Sequence, residues 1–194
     1  MRALLLLLLA GLFLLPAYAQ KKITLQPVEN KLDSVKHYRK ILIVGEGSMQ
    51  SRMYMDHLSV ELIKELKAHN IDCKYEYLGD PHKLDTDEVL KKVAAWPHDA
   101  VLRFSPLSAS MDQQTNYIST APQMGYNGVM SYTGGGTVSQ MYLVDEFDIT
   151  LIEGPETIWS ARLSTSIEMA KFTVYKRIRK VIFDDMKKQN VLAL

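Results

Sequence analysis

The residues best placed to do chemistry stand where the apolar run Ile41-Leu42-Ile43-Val44 breaks into Gly45-Glu46-Gly47-Ser48. A glycine-flanked turn between a strand and a helix presents backbone amides and the positive helix end, which suits an anion, and a serine at such a turn can act as a nucleophile. Each chemistry needs further residues. A dinucleotide fingerprint wants a third glycine at position 50, where the chain has Gln50, and Glu46 brings negative charge into the cradle. A nucleophilic Ser48 needs a histidine base held by a carboxylate.

The silhouette is similar to that of serine hydrolases with Gly-Asp-Ser after the first strand, whose base comes from an Asp-x-x-His near the carboxyl end. Here the last histidine is His98, so that resemblance stops at Ser48. His37, His57, His69, His82 and His98 are scattered, without the spacing that puts two ligands on one metal. Gly134-Gly135-Gly136 lacks the Lys-Ser/Thr of a phosphate-binding P-loop and reads as a flexible bend. No catalytic residue, cofactor or metal is therefore assigned. The candidate ligand pocket is Glu46, Ser48, Arg52, Arg103 and Ser105, converging at the carboxyl ends of parallel strands with both arginines on an anion.

A second kind of chemistry is recognition. Residues 105 to 136 are rich in Ser, Gln, Asn, Tyr, Met and Gly with little periodicity, and read as a long loop or an irregular segment: either a functional loop or an irregular strand pair. Tyr117, Met124, Tyr126, Met130 and Tyr132 are adaptable apolar or amphipathic groups of the types enriched where proteins touch one another, and make a candidate partner surface.

The elements that must position these groups follow from period. Ile41 to Val44 reads as a buried strand. Met55, Leu58, Leu62 and Leu66 recur at helical spacing from Ser51 to Ala68, and Ile71 to Leu78 alternates as a second strand carrying Cys73 on an apolar face. Asp85-Thr86-Asp87-Glu88 has the spacing of a capping box opening a helix that ends at Trp96-Pro97, and Ala100 to Phe104 is a third strand. Short strand-helix-strand connections imply parallel neighbours. Around Glu153-Gly154-Pro155-Glu156, two runs of period two make an antiparallel hairpin. Thr165-Ser166-Ile167-Glu168 has the form of a second capping box, and Ile167, Ala170, Val174, Ile178, Val181 and Ile182 stripe a final helix. The expected fold is α/β: a mixed sheet of three parallel strands plus a carboxyl-terminal antiparallel hairpin, with a long last helix packed on it.

Met1-Arg2-Ala3, the leucine-rich run Leu4 to Leu15 and Pro16-Ala17-Tyr18-Ala19 read as a secretory signal peptide cleaved after Ala19. The product would be periplasmic or secreted, with no transmembrane segment after cleavage. Residues 20–40 form a polar amino-terminal arm that adds an edge element, and residues 41–190 a single α/β domain. Signal removal leaves equal numbers of acidic and basic residues, so neither nucleic acid nor a charged membrane surface is expected as a partner. The single cysteine excludes an intrachain disulfide and reads as a buried small hydrophobe.

The stretch "MYLVDEFDITLIEGPETIWSARLSTS" followed by a helix resembles exported bacterial envelope domains typified by the amino-terminal domain of TolB, by CsgG and by lipoprotein activators of penicillin-binding proteins. Glu153-Gly154 and Ile158-Trp159-Ser160-Ala161 carry the likeness, with His98-Asp99-Ala100-Val101-Leu102 as the entry to the third strand. The chain departs in having no lipid-anchor cysteine, membrane insert or propeller repeats. The resemblance implies a non-enzymatic binding or assembly adaptor whose partner is another envelope protein. The alternative is a small-anion-binding protein or serine hydrolase-like enzyme using the strand ends.

Overall fold

The run Ile41–Val44 is apolar at every position because both of its faces are covered. The computed structural model describes residues 23–118, 123–124, 130–131, 136–168 and 173–193, with backbone only for 109–118, 123–124, 130–131, 136–144 and 168. The elements are β1 (Ile23–Asn30), β2 (Lys40–Glu46), α1 (Met49–Ala68), β3 (Asp72–Gly79), α2 (Thr86–Val93), β4 (Ala100–Ile118), β5 (Gln123–Met124), β6 (Met130–Ser131), β7 (Gly136–Glu153), β8 (Glu156–Glu168) and α3 (Thr173–Lys188). The main sheet has the order β1-β8-β7-β4-β2-β3. Strand β2 pairs parallel with both β3 and β4, while the β4–β7, β7–β8 and β1–β8 pairs are antiparallel. This is the expected α/β architecture, with the carboxyl-terminal hairpin β7–β8 and α3 on the sheet.

Alternation along the strands divides the core in two. Ile41, Ile43, Leu102, Phe104, Phe147, Ile149 and Leu151 face α1 and α3, whose Tyr54, Leu58, Leu62, Ile178 and Ile182 are buried against them. Leu42, Val44 and Val101 face the other way, onto Val89, Leu90 and Val93 of α2. Helices α1 and α2 therefore lie on opposite faces, and the chain reverses its winding at β2. Helix α2 begins as its sequence dictates: the Asp85 carboxylate accepts from the amides of Asp87 (3.0 Å) and Glu88 (3.2 Å).

The amino-terminal arm joins the body as edge strand β1, running from Ile23 opposite Thr165 to Asn30 opposite Trp159. Its register slips between Pro27 and Glu29, a bulge beside a residue with no amide to donate, which fits an edge strand.

One expectation needs correction. The motif Thr165-Ser166-Ile167-Glu168 does not cap a helix: β8 continues through Glu168, and α3 starts at Thr173. Alternation wins there, since Leu163, Thr165 and Ile167 are buried on one face and Ile23 of β1 pairs with Thr165. Ile167 thus belongs to strand rather than to the helical stripe, and Ala170 lies outside the described residues. Of the two readings of residues 105 to 136, the strand pair holds for its first part. Strand β4 runs fourteen residues beyond its last pairing with β2 at Phe104, about 45 Å at strand rise, hydrogen-bonded to β7 as far as Ile118 opposite Gly136. Over Gln113–Ile118 no third strand joins this ribbon among the described residues, so nothing there imposes the period-two pattern by which strands are recognised.

Candidate functional site

At the carboxyl ends of the parallel strands the turn 47–48, the turn after β3 and the bend in β4 enclose a cavity of about 250 Å³. Reversal of winding at β2 parts the loops at this edge, as in other open α/β sheets. Gly47 makes the turn possible. Its φ is +126°, and a Cβ there would stand 2.6 Å from Pro106 Cγ and 2.8 Å from Ser51 Oγ. The Gly47 amide donates to the Gly79 carbonyl at 2.8 Å, and the Tyr77 hydroxyl lies 2.5 Å from the Gly47 carbonyl and 2.9 Å from that of Ser48. On the third side Pro106 and Ser108 flank a register slip that leaves Leu107 exposed.

Ser48 is the N-cap residue of α1 in an extended conformation, yet its side chain makes no capping bond, and the first turn holds no acidic residue. Its hydroxyl is buried with no hydrogen-bond partner, as is that of the fully buried Ser51. Both serines line the cavity with Gln50. Across from them stand Asp80 and His82. The Asp80 carboxylate accepts the His82 amide at 3.0 Å and meets the Lys83 ammonium at 3.4 Å. The amide hydrogen bond first, with Lys83 adding to it, holds its pKa below the usual carboxylate range against the opposing effect of desolvation. Because Asp80 binds the main chain of His82, it does not orient the ring toward Ser48, and a nucleophile-base-carboxylate relay is not assembled there.

The five residues proposed for an anion pocket separate. Only Ser48 lines the cavity. Glu46 and Arg103 point to the α2 face, where the guanidinium meets Glu46 Oε2 and Asp87 Oδ1, each at 2.8 Å, and the Thr86 hydroxyl at 3.2 Å. Burial would lower the Arg103 pKa, but hydrogen bonds and charge from Glu46, then Asp87, outweigh it and raise it. Its charge is thus already neutralised and the cluster is a structural clamp. Arg52 lies over the Tyr77 ring at 5.5 Å and 3.9 Å from Asp56, and Ser105 pairs with Asp148 of β7. Sequence reasoning missed Gln50, Ser51, Asp80 and His82. The signals were present in two serines one helical turn apart and in the turn Gly79-Asp80-Pro81.

The candidate partner surface is divided between the β4–β7 ribbon and a separate small sheet. Tyr117 is in β4 opposite Thr137, and Met124 pairs with Met130 in the small sheet of β5 and β6, while Tyr126 and Tyr132 lie outside the described residues. Cys73 is buried, its thiol donating to the Ile63 carbonyl at 3.8 Å, and desolvation raises its pKa, so it is a poor nucleophile. Among the described residues no group of three or more side chains is placed to hold a metal, and no helix is long and apolar enough to cross a membrane.

One further group stands out. Asp145 of β7 occupies an inward position in the series Asp145, Phe147, Ile149, Leu151, is fully buried, and has neither carboxylate oxygen hydrogen-bonded among the described residues. Desolvation raises its pKa to about 7.

No protein-family model matches the chain, and no curated protein matches it in sequence. Among solved structures it is similar to the PelC dodecamer from Paraburkholderia phytofirmans, at 13% identity and a TM-score of 0.47, covering 89% of this chain and 99% of that one. A single-substitution variant of that dodecamer gives 12% identity and the same TM-score and coverage. A neuraminyllactose-binding hemagglutinin homologue from Helicobacter pylori is similar at 11% identity and a TM-score of 0.32, covering 84% of this chain and 90% of that one. At these values the likenesses carry no argument about activity or partner, and the chain is described by its own geometry as an α/β domain with a mixed six-stranded sheet.

Proposed function

We propose that the chain is an exported, non-enzymatic envelope protein that acts as a binding or assembly adaptor, of the kind implied by the resemblance to the TolB amino-terminal domain, CsgG and penicillin-binding-protein activators. The observation that carries this reading is the β4–β7 ribbon. Its outer six register pairs, Gln113–Met141 to Ile118–Gly136, have no third strand beside them among the described residues. A two-stranded ribbon alone is marginal in water, and its open edges offer main-chain hydrogen bonds to an extended segment of another protein. The leucine-rich amino terminus supports delivery to the envelope.

The test places a photo-crosslinking amino acid at Tyr117 on the ribbon and, separately, at Lys91 on α2, in cells expressing the full chain. A discrete, saturable adduct from position 117 and none from position 91 supports the reading. Equal diffuse labelling from both positions removes it.

A further inference from the structure

Strand β3 ends the main sheet, and among the described residues no strand lies on its outer side. Its inner side is fixed by the Asp72 amide, which donates to the Arg39 carbonyl at 2.8 Å, so alternation turns the main-chain groups of Lys74 and Glu76 to β2 as well. Those of Cys73, Tyr75 and Tyr77 therefore point outward. Proteins usually blunt such an edge, and β1 at the far side of the sheet carries Pro27 and a bulge. Strand β3 has neither from Asp72 to Tyr77, where its register against β2 is unbroken. Its edge charges also cancel: the Lys74 ammonium lies 2.7 Å from the Glu76 carboxylate, both partly exposed on the α2 face that the buried Leu78 shares.

We propose that β3 is a self-association edge, pairing antiparallel with β3 of a second copy about a two-fold axis at Tyr75 and joining the two sheets into one. Charge selects both the occupant and the register. Centred on Tyr75, Lys74 faces the partner's Glu76 and Glu76 faces the partner's Lys74, an opposite-charge pair on each side of the axis. Centred on Lys74, that residue would meet its own copy and Asp72 would meet the partner's Glu76; centred on Glu76, carboxylate would meet carboxylate. Like charges directly opposite are destabilising. Centring on Cys73 opposes Asp72 and Lys74, but because the strand starts at Asp72 it leaves Glu76 to Leu78 beyond the seam. The Tyr75 register runs from Asp72 opposite Leu78 to Leu78 opposite Asp72, and the outward groups of Cys73, Tyr75 and Tyr77 then make about six main-chain hydrogen bonds. A two-fold axis uses the same patch on both chains, so the seam closes at a dimer. It is separate from the β4–β7 ribbon, so its failure leaves the adaptor reading standing and the reverse also holds.

The experiment is sedimentation velocity of the purified protein from about 5 to about 500 μM, on the wild type, on K74E and E76K separately, and on the two variants mixed in equal amounts. The wild type should dimerise. In K74E the seam sets carboxylate against carboxylate and in E76K ammonium against ammonium, so each should dimerise at least about tenfold more weakly. In the mixture every seam carboxylate of one chain faces an ammonium of the other, and a heterodimer about as tight as the wild-type dimer should form. Disulfide formation in a C73S background reads the register. K74C mixed with E76C should cross-link between chains, because directly opposed residues of a non-hydrogen-bonded pair have Cα atoms about 4.5 Å apart, and neither variant should cross-link alone. A wild type that stays monomeric at about 500 μM, a dimer indifferent to both charge reversals, or a mixture that fails to recover the dimer overturns the proposal.

Discussion

Replacing Asp145 by asparagine should make the domain more stable at alkaline pH and change little in acid. The carboxyl is fully buried without a hydrogen bond among the described residues, beside the Tyr54–Thr165 pair, and its pKa rises from the usual 3.8 to about 7. Below the lower value both folded and unfolded states hold the proton. Between the two, the folded state keeps a proton that the unfolded chain has released, so stability falls as pH rises; above about 7 the loss is complete and flat. With about 1.4 kcal/mol per unit, the loss between acid and pH 8 is about 4 kcal/mol, of which about 3 kcal/mol accrues between pH 5 and pH 8. D145N carries no proton to lose, so its stability relative to wild type should rise by that amount across this interval. Urea unfolding of both proteins, read by fluorescence of the buried Trp159, measures it. With a slope near 2 kcal/mol/M, the gap between the two midpoints should widen by about 1.5 M from pH 5 to pH 8. Parallel midpoint curves would show that Asp145 is hydrated or paired in solution and would refute the argument.

E46A should destabilise the fold by about 2–3 kcal/mol, below the full cost of orphaning a buried charge because Asp87 still faces Arg103, and E46L/R103L should recover most of the loss in chemical denaturation. G47A should cost about 2–3 kcal/mol, lowering the thermal midpoint by about 5–10 °C, because both its φ of +126° and the 2.6 Å approach of Pro106 oppose a methyl group; G154N, at a φ of +58° with nothing within 4 Å, should unfold within about 2 °C of wild type. Cys73 should react with a thiol reagent at least about a hundredfold more slowly in the native than in the denatured protein, and equal rates would place it at the surface. Edman sequencing of the protein recovered from the envelope should begin at Gln20; retention of Met1 would show that the leader is not removed.

The three parallel strands and the hairpin were legible because each is covered on at least one face and so must obey a period. The same rule, carried backward by twos from Leu151, reaches Asp145 and marks it as an inward acid. It also overrides the local motif at Thr165: a capping box is stabilising only where a helix starts, whereas the buried positions Leu163, Thr165 and Ile167 satisfy a strand across four further residues. The candidate pocket was partly misread because alternation turns Glu46 and Arg103 to the α2 face, while the helix that begins one residue past Ser48 carries Ser51 to the cavity instead.

The order of amino acids by itself determined the α/β class and the sheet's parallel centre, since local periodicity and punctuation suffice for these. Only the tertiary structure decided which donors remain without partners, that Arg103 is neutralised, and that the polar stretch after Phe104 begins as a paired ribbon. Those facts depend on distances between residues far apart in the chain, and no periodic pattern along one segment encodes them.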